Sequence, residues 1–478
     1  MKSTNKLLLI ALTAMLTFGG CKKDWDSHNA ITDEQLNVNL FEKIQANSKL
    51  SKFAELLVKS GYDKVLASSK NFTVYAPTND ALTGLDPAIV SDTAKLNPFI
   101  ANHIANQSYY SGKITDTLRI EMLNFKFHNV LGNKIESAAI TEPDQLSKNG
   151  VLQVIDKMLP VLPNCWDAMY AGSGFPLKQA EYLKKLNYTG FDPNTAEVIG
   201  IDPLTGNPIY KPGTGSVPRN MYWDRVYDLR IEKEQYTYFA IDDAGFDGEA
   251  VKFATYYKSP DPLITDSVTR FAVLKDYAFK GKYAMASLPD TMVSKSGVKV
   301  GIDKSKITRT ISCSNGVIYV MSAMIVAPAT KFISRVIQAE NYASSSHDRR
   351  GNTFFRDRLN TVTGLNYRDV LVQGHGVARF SLRYPVVEMP TMKFRAYWVA
   401  VNDFQTATFS QKLSIDSINN ATIPYVVVPV TTFTEVFIGE FTLTSYIATR
   451  DIYLTAANST TAAANPLVCD YIRIEPVN

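Results

Sequence analysis

The side chains most often used in catalysis are few and scattered in this sequence. Its histidines, none of which lies in a catalytic motif, are His28, His103, His128, His347 and His375. The zinc-binding HExxH, the serine-hydrolase GxSxG, the P-loop and the dinucleotide-binding GxGxxG are all absent from the sequence. A pair of carboxylates for glycoside hydrolysis cannot be recognised from sequence alone, and nothing points to a particular pair. The sequence therefore predicts a protein that is not an enzyme.

One stretch concentrates acidic residues. Asp242, Asp243, Asp247 and Glu249 fall within eight residues, a density that could suggest a calcium loop. Their spacing does not match the ligand positions of an EF-hand. Asp residues at the start of a helix satisfy its free backbone N–H groups, so we predict that this stretch caps a helix and forms a solvated turn.

The first residues have the layout of a secretory leader. Lys2 and Lys6 form a short basic region, and an apolar run follows over Leu7–Phe18. A membrane-spanning helix needs about 20 apolar residues, so this run is too short to span a bilayer. We predict that residues 1–20 are a cleaved signal peptide.

Cys21 comes directly after two glycines that end this apolar run. It resembles the lipid-accepting cysteine of bacterial lipoproteins, and residues 22–26 resemble the export signal that places lipoproteins of Bacteroidetes-type bacteria in the outer leaflet. The resemblance implies an N-terminal lipid on Cys21, with a tether over residues 21–35. The alternative is an ordinary signal peptide followed by an unmodified cysteine.

A two-part phrase occurs twice, at similar internal spacing. Its first part reads NFTVYAPTNDAL over residues 71–82 and, more weakly, QYTYFAIDD over 235–243. Its second part reads NGVLQVIDKMLP over 149–160 and NGVIYVM over 315–321. A phrase repeated at one spacing indicates two copies of a single structural unit. The phrase resembles the signature of the fasciclin domain, an α+β module of extracellular adhesion and matrix proteins.

The resemblance implies a first fasciclin-like domain over residues 36–163 and a second over 164–330. In the first, residues 71–76 are predicted to form a strand that ends at Pro77. Residues 78–80 offer N-cap side chains, so we predict that a helix starts immediately after them.

The second copy departs from the pattern. Ile241 replaces Pro77, and a long insertion precedes this position. Residues 191–220 are dense in Pro, Gly and Asn, which predicts turns and an extended surface loop. A loop of that length in a compact domain is either functional or disordered, and the sequence leaves both open.

The last part of the chain changes from helical spacing to the alternation of strands. Six strands are predicted, at 392–401, 409–415, 425–430, 434–443, 450–456 and 468–475. Short strands separated by turn residues predict a β-sandwich. The phrases VIQAENY at 336–342 and CDYIRIEP at 469–476 resemble the first and last strands of a jelly-roll carbohydrate-binding module of the galactose-binding-like type. We therefore predict an all-β jelly-roll sandwich over residues 331–478.

The second resemblance also implies a metal site. In such modules a glutamate of the first strand and an aspartate of the last bind a structural calcium together with backbone carbonyls. The matching residues are Glu340 and Asp470. Hard oxygen ligands of this kind suit calcium. The alternative is two solvent-facing strand carboxylates.

Sugar binding needs an aromatic ring for the C–H face of a pyranose, with polar groups nearby. Aromatic candidates near predicted strand ends are Tyr397, Trp398, Phe404, Phe433 and Phe437. Members of the module family often have Trp near the position of Phe433. Any one of these rings could instead belong to the core.

Two histidines are further candidates for binding. His103 lies near a position associated with adhesion in fasciclin-like domains, although a lone histidine on a half-apolar helix is more often structural. His375 lies in a Gly-His-Gly turn and could be exposed. It could equally be an ordinary loop residue.

Composition and charge exclude some function classes. A chain of 478 residues with 45% hydrophobic and 20% charged residues predicts about three folded domains. A formal net charge of +4 and the lack of a basic stripe argue against nucleic acid as a partner. Apart from Cys21, the cysteines are Cys165, Cys313 and Cys469, which are expected to be buried apolar residues. A Cys165–Cys313 disulfide is the alternative.

These features together predict two fasciclin-like α+β domains followed by a sandwich, in a noncatalytic lipoprotein of the bacterial outer membrane that faces the cell surface. Its function would be adhesion or glycan binding, through a glycan or an envelope protein partner. One alternative is an accessory subunit that docks on an outer-membrane nutrient-uptake complex of the TonB-dependent transporter type. Another is a glycan-cleaving enzyme that uses the sandwich as a targeting module.

Overall fold

The structure is a computed structural model that describes residues 34–172, 174–324 and 326–477. The predicted signal peptide, the predicted lipidation site Cys21 and most of the predicted tether lie outside these residues. The chain divides into two compact units. The first unit comprises Met1–Asn164, Arg230–Glu234 and Cys313–Asn315, and the second comprises Cys165–Leu229, Gln235–Ser312 and Gly316–Asn478.

The first unit is an α+β structure built on one sheet of seven strands. The strands are β1 (Phe72–Pro77), β2 (Ile104–Ala105), β3 (Leu118–Glu121), β4 (Phe127–Leu131), β5 (Lys134–Ile135), β6 (Ala138–Ser147) and β7 (Gly150–Ile155). Their order in the sheet is β2-β1-β7-β6-β5-β4-β3. The helices are α1 (Leu40–Ala46), α2 (Ser51–Ser60), α3 (Tyr62–Leu66), α4 (Pro87–Ser91) and α5 (Thr93–Ala101). Apolar side chains of α1, α2 and α5 pack against β1 and β7 to form the core.

The repeated phrase forms the centre of this sheet. β1 and β7 run parallel, with Phe72 opposite Gly150, and every residue of β1 is buried. A Cβ atom at position 150 would lie 1.9 Å from the Phe72 carbonyl oxygen, so only glycine fits there. The predicted strand and its end at Pro77 are confirmed.

The predicted helix start after Pro77 is wrong. Residues 79–84 form turns, although Thr78 Oγ1 does accept a hydrogen bond from the N–H of Ala81 at 3.2 Å. The next helix is α4, which begins at Pro87 and is capped by Asp86. A cap satisfies only the first free N–H groups, and it does not by itself offset the cost of forming the first helical turn.

The second unit contains a smaller version of the same arrangement. Its sheet consists of β12 (Tyr236–Ile241), β13 (Ala278–Lys280), β16 (Ile307–Cys313) and β17 (Gly316–Met321), in the order β13-β12-β17-β16. A separate strand pair is formed by β14 (Thr291–Val293) and β15 (Lys299–Gly301). The helices are α6 (Cys165–Ala168), α7 (Leu177–Lys185), α8 (Met221–Arg225), α9 (Asp243–Ala254), α10 (Pro262–Leu274) and α11 (Pro328–Lys331).

The sequence repeat corresponds to a structural repeat. β12 and β17 run parallel with Tyr236 opposite Gly316, as Phe72 lies opposite Gly150 in the first unit. Asp242 caps α9 by accepting a hydrogen bond from the N–H of Gly245 at 2.8 Å, which confirms the predicted cap. The predicted solvated turn is wrong, because Asp243, Asp247 and Glu249 lie within α9 itself.

The region predicted as an extended loop is instead an antiparallel β-arm, which we define as residues 187–220. Its strands are β8 (Asn187–Phe191), β9 (Val198–Ile201), β10 (Pro208–Tyr210) and β11 (Ser216–Asn220). β8 pairs with β11 and β9 with β10, so the arm is one long hairpin with a turn between β9 and β10. Some of its Pro, Gly and Asn residues lie in turns, but Gly190, Gly200, Pro208 and Pro218 lie within the paired strands.

The rest of the second unit is an all-β sandwich with three antiparallel sheets. Its strands are β18 (Arg335–Gln338), β19 (Ser344–Ser345), β20 (Thr353–Leu359), β21 (Asn366–Val372), β22 (Ser381–Val387), β23 (Lys393–Val399), β24 (Phe409–Ile415), β25 (Val426–Val428), β26 (Val436–Thr442), β27 (Thr449–Ala456), β28 (Leu467–Cys469) and β29 (Tyr471–Pro476). The strand orders are β18-β29-β23-β26, β19-β22-β27-β24-β25 and β20-β21-β28. One continuous apolar cluster fills the interior.

All six predicted strands of this region are present. The segment 409–415 coincides with β24, and the segment 468–475 is divided by Asp470 into β28 and β29. Within the described ranges, no helix has the length and apolar character needed to cross a bilayer.

Candidate ligand-binding face of the sandwich

The four-stranded sheet β18-β29-β23-β26 brings Tyr397 next to an exposed aromatic ring and a charged pair. On β23, Tyr397 lies opposite Phe437 of β26 on one side and Arg473 of β29 on the other. Cross-strand partners point to the same face of a sheet, so these three side chains share its outer face. The register shifts between Ala396 and Tyr397, and this bulge sets the pairing of Tyr397 with Phe437.

The geometry of this outer face is compact. The rings of Tyr397 and Phe437 have centroids 5.5 Å apart at an interplanar angle of 60°. The Arg473 guanidinium carbon lies 4.0 Å from the centroid of the Tyr397 ring. Arg473 also forms a bidentate pair with Glu435, with Nε–Oε1 and Nη2–Oε2 distances of 2.8 and 2.6 Å.

The charges of this pair are fixed. The hydrogen bond from Arg473 lowers the pKa of Glu435, and the hydrogen bond to Glu435 raises the pKa of Arg473. Both groups are therefore ionised at neutral pH. The ion pair orients the guanidinium over Tyr397, which limits the motion of that ring.

This face has the chemical features that a sugar ligand requires. Phe437 is 52% exposed and offers an apolar ring face, while Glu435 and Arg473 offer acceptors and donors beside it. Carbohydrates bind through C–H contacts to aromatic rings together with hydrogen bonds to their hydroxyl groups. We refer to Tyr397, Phe437, Arg473 and Glu435 as the Tyr397 face.

Trp398 is not part of this face. It follows Tyr397 on β23, so its side chain points to the opposite side of the sheet. It is 1% exposed and lies in the sandwich core. The prediction of Trp398 as a ligand-binding residue is therefore corrected to a core residue.

Phe433 lies in the loop before β26 and is half-buried. Its backbone carbonyl accepts a hydrogen bond from Asn360 Nδ2 at 3.2 Å, which ties this loop to the β20–β21 hairpin. Phe404, the remaining candidate, packs against the core and lies 5.6 Å from the Arg356 guanidinium carbon.

His375 is buried rather than exposed, which corrects the expectation from its glycine-rich turn. Its residue exposure is 3%, its Nε2 donates to the Asn465 carbonyl at 2.7 Å, and its Nδ1 accepts from the Val377 N–H at 3.2 Å. Burial lowers the pKa of His375. Both ring nitrogens are used internally, so this side chain stabilises the loop and is not available to a ligand.

Glu340 and Asp470 are brought together, as the sequence suggested. The Ala339 N–H donates to the Asp470 carbonyl at 2.8 Å, which places the two acidic residues on adjoining segments. Burial, together with the charges of Asp369 and Glu340, raises the pKa of Asp470 to about 7. Glu340 Oε2 is buried and accepts no hydrogen bond.

Sequence reasoning missed Asp369 in this cluster. It is fully buried on β21 and forms a bidentate pair with Arg356 of β20, at 2.8 and 2.5 Å. The only sequence signal is an Arg and an Asp on strands of opposite direction, which has no meaning until their register is known. Arg356 uses the Asp369 carboxylate, so Glu340 and Asp470 remain as the cluster's available carboxylates.

The donor set fits a calcium ion only with help from the backbone. Within residues 34–172, 174–324 and 326–477, no three His, Cys, Asp or Glu side chains are arranged to hold a metal. Calcium takes six to eight oxygen ligands, which include backbone carbonyls. Glu340 Oε2 accepts no hydrogen bond, and the charges of Asp369 and Glu340 add to burial in raising the pKa of Asp470. A bound cation would relieve both, so the chemistry of these residues fits the ion.

His103 in the first unit has a structural role, as favoured from the sequence. It is fully buried, its Nδ1 donates to the Phe99 carbonyl at 2.8 Å, and its Nε2 accepts from the Leu159 N–H at 2.9 Å. Burial lowers the pKa of His103 to about 3, so the ring is neutral at physiological pH. The prediction that Cys165, Cys313 and Cys469 are buried is also confirmed.

Residues 48–162 match the family model described as Fasciclin domain. The N-terminal region therefore has the fasciclin fold. A similar curated protein is the transforming growth factor-beta-induced protein ig-h3 of Sus scrofa, which is 29% identical over 178 residues. The match covers 34% of this chain and 26% of that protein, so the chain spans about a quarter of the length of the curated relative it matches.

Two solved structures illustrate the folds. A FAS1 domain pair from the insect cell adhesion molecule Fasciclin I is 15% identical, covering 59% of this chain and 98% of that chain, with a TM-score of 0.24. A family 35 carbohydrate binding module from Clostridium thermocellum is 16% identical, covering 30% of this chain and 98% of that chain, with a TM-score of 0.22. At these scores the likenesses support no argument about ligands, and the β-sandwich is established by its own strands.

Proposed function

We propose that this protein is a noncatalytic adhesion or glycan-binding protein of the bacterial cell surface, in which the Tyr397 face binds a carbohydrate. The single observation that carries the proposal is that Tyr397 lies between the half-exposed Phe437 ring and an oriented Arg473–Glu435 pair. The fasciclin fold of the N-terminal region supports a role in adhesion, and fasciclin and carbohydrate-binding folds are typically not catalytic.

The proposed location is the outer leaflet of the outer membrane, with a lipid on Cys21 as the anchor. The support is the leader-like sequence of residues 1–20 and the cysteine that follows it. One acyl chain gives only reversible membrane binding, so a stable anchor requires the two or more chains of a mature lipoprotein. Labelling cells with a radioactive fatty acid tests this. Label on the wild type and none on Cys21→Ser supports the anchor, and equal label on both contradicts it.

A glycan array tests the binding proposal. The probe is the chain without its leader and with Cys21→Ser, so that it is soluble, applied with calcium and with chelator. Binding to a defined set of glycans is the expected result. A blank array from protein whose circular dichroism shows intact folding would contradict glycan binding by this chain.

The proposed structural calcium at Glu340 and Asp470 is tested by thermal unfolding. If the ion binds only the folded protein, a concentration of 100 times its Kd stabilises by about 2.7 kcal/mol. Calcium is expected to raise the Tm of the wild type and of Asp357→Asn, a control with a 79% exposed side chain in the same sandwich. It should not raise the Tm of Asp470→Asn. Equal shifts in all three proteins, or none, would contradict the site.

The second candidate function is an accessory subunit that docks on an outer-membrane nutrient-uptake complex. The observation that favours it is the β-arm, where Leu204 is 95% and Ile201 69% exposed. Gentle detergent extraction followed by affinity purification should then recover a transporter in a fixed ratio. Elution of the protein alone would contradict this alternative and leave glycan binding unaffected.

A further inference from the structure

The β-arm leaves large apolar side chains in solvent that the Tyr397 face does not use. The exposed aliphatic side chains among them, with their exposed fractions, are Val198 54%, Ile199 57%, Ile201 69%, Leu204 95% and Ile209 45%. All lie in residues 197–210, the half of the arm formed by β9, β10 and their turn. Contiguous exposed apolar surface of this kind marks an interaction site.

These side chains cover both faces of the ribbon. Ile201 lies opposite Pro208, and Ile209 lies opposite Gly200. Because Pro208 and Ile209 are neighbours on β10, these two pairs lie on opposite faces, so Ile201 is on one face and Ile209 on the other. A bulge in β9 at Ile199 shifts the register before Val198 pairs with Tyr210. A flat partner surface would cover only one of the two faces. A cleft that encloses the ribbon covers both.

The exposure of Leu204 belongs to an ordered turn. Asp202 Oδ1 accepts a hydrogen bond from the Leu204 N–H at 2.8 Å. The Asp202 N–H donates to the Asn207 carbonyl at 2.9 Å, and the Gly206 N–H donates to the Asp202 carbonyl at 2.8 Å. Three hydrogen bonds therefore hold the turn so that Leu204 projects from its end. A pre-ordered element loses little conformational entropy on binding.

The charge of this part of the arm is negative. Its charged residues between β8 and β11 are Asp192, Glu197, Asp202 and Lys211, and Lys211 Nζ pairs with Glu197 at 2.7 Å. One positive and three negative charges leave a net charge of −2. Hydrogen bonds from the backbone N–H groups of Leu204 and Thr205 lower the pKa of Asp202, so the turn keeps its charge.

This charge selects among the occupants that could cover the apolar residues. Contact with the arm of a second copy would bring four uncompensated carboxylates together. Insertion of Leu204 into a lipid bilayer would carry the ionised Asp202 with it. A protein cleft with Lys or Arg at its rim satisfies both the apolar faces and the carboxylates.

We propose that residues 197–210 are a docking element that inserts into an apolar cleft of another protein, whose rim is basic. An antiparallel ribbon is about 10 Å wide, which sets the width of the cleft. Burying both faces and the turn of these fourteen residues removes on the order of 700 Å² from solvent, close to the ~800 Å² per partner of a standard interface. This inference does not depend on glycan binding by the sandwich.

The experiment places a photo-crosslinking amino acid at Ile201 or Ile209, which lie on opposite faces, in the full chain with its leader in producing cells. The control position is Val251 of α9, which is 78% exposed in the same unit. The expected result is one protein crosslinked from both faces of the arm and not from position 251. Mass spectrometry then identifies the crosslinked peptides of that protein, which should line an apolar cleft flanked by Lys or Arg.

The protein found in this way is then purified and titrated with the soluble chain. Ile201→Asp should weaken binding at least 100-fold, Val251→Asp should change it less than twofold, and added salt should weaken the wild-type complex. Three crosslinking results would overturn the proposal: crosslinks only to a second copy or to lipid, no crosslinks above the control, or crosslinks that map to a flat surface. Equal binding by the two variants would also overturn it. Glycan binding is measured on the same variants, so failure of docking is distinguished from failure of the Tyr397 face.

Discussion

The two copies of the parallel ladder share a threonine that ties the ladder to a neighbouring loop. In the first unit, Thr73 Oγ1 donates to the Gln107 carbonyl at 2.7 Å and accepts from the Tyr109 N–H at 2.7 Å. In the second, Thr237 Oγ1 makes the same pair of bonds with Gly281 and Tyr283, at 2.8 and 3.0 Å.

One position next to this ladder differs in chemistry. The N–H of Tyr75 donates to the His103 carbonyl and that of Phe239 to the Tyr277 carbonyl, so Asn102 and Asp276 occupy equivalent places.

Asn102 forms a neutral network. Its Nδ2 donates to the Leu159 carbonyl at 3.1 Å, and its Oδ1 lies 3.1 Å from His128 Nε2. Asp276 accepts from Ser294 Oγ at 2.7 Å and forms a buried ion pair with Lys331 Nζ at 2.5 Å.

The equivalent position therefore has a different role in the second copy, where Asp276 pairs with a residue outside the repeated sheet. Burial alone would raise the pKa of Asp276, but the Lys331 ammonium together with hydrogen bonds from Ser294 and Ser296 lowers it, while burial lowers the pKa of Lys331. Lys331 ends α11, just before the sandwich begins. The ion pair therefore fixes the segment that leads from the second copy into the sandwich, a task for which the first copy has no counterpart.

The largest expected effect comes from breaking this pair. Lys331→Met leaves the Asp276 carboxylate buried without its cation, which costs about 3–5 kcal/mol. Hydrogen-exchange mass spectrometry should show faster exchange in β12 and β17 and no change in β1 and β7. The matched double variant Asp276→Asn/Lys331→Met should recover most of the loss, because it removes both charges. An unchanged exchange rate in Lys331→Met would contradict a structural role for the pair.

The next largest effect is expected from acid, which should destabilise the first copy through His103. The pKa of His103 is about 3 in the folded state against 6.5 in the unfolded state, so the unfolded state binds more protons between these values. Stability is fully present above pH 6.5 and falls with pH below it, by about 3 kcal/mol at pH 4. The free energy of unfolding, measured by urea denaturation at each pH and by hydrogen exchange of the β1 amides, should show this dependence. In His103→Gln the free energy of unfolding should depend less steeply on pH. An identical dependence in the two proteins would contradict the lowered pKa of His103.

Gly150 and Gly316 test the parallel strand pair that the two copies share. A Cβ at position 316 would lie 2.2 Å from the Tyr236 carbonyl oxygen, nearly as close as the 1.9 Å contact at position 150. Gly150→Ala and Gly316→Ala are each expected to destabilise by about 2–3 kcal/mol through overpacking. Gly61→Ala, whose Cβ would meet no atom within 4 Å, controls for strain at positive φ. Tolerance of alanine at either ladder position would show that the equivalence is wrong there.

The smallest effect is expected at the shared threonines. Thr73→Val and Thr237→Val keep the shape but lose two hydrogen bonds, and each should cost about 1–2 kcal/mol of unfolding free energy. Equal losses, measured by thermal unfolding, would confirm equal roles. A loss in only one variant would restrict the motif to that unit.

The sequence allowed the parts with strong periodicity to be predicted. β1 and β24 were found because their apolar residues alternate or run continuously between clear turn residues. The β-arm was missed because its Pro and Gly residues dominate the local signal, whereas its strands are defined only by pairing across the turn.

The candidate site was predictable only in part. Tyr397 was identified, but its neighbours Arg473 and Glu435 come from strands far apart in sequence, and the register of those strands cannot be inferred locally. Trp398 and His375 were misplaced for two other reasons. Neighbouring residues of a strand point to opposite faces, and a glycine-flanked loop can fold inward once its polar atoms find partners.

The central claim is that the Tyr397 face binds a carbohydrate, and affinity electrophoresis through polysaccharide gels tests it most directly. Each gel contains a polysaccharide chosen from the array and compares the wild type with Phe437→Ala and with Phe354→Ala, a control for a 43% exposed aromatic on another sheet. The account predicts that the wild type and Phe354→Ala are retarded alike and that Phe437→Ala loses about tenfold in affinity, as expected for losing one stacked ring worth about 1.4 kcal/mol. Equal retardation of all three proteins would contradict it and place the binding site elsewhere on the chain.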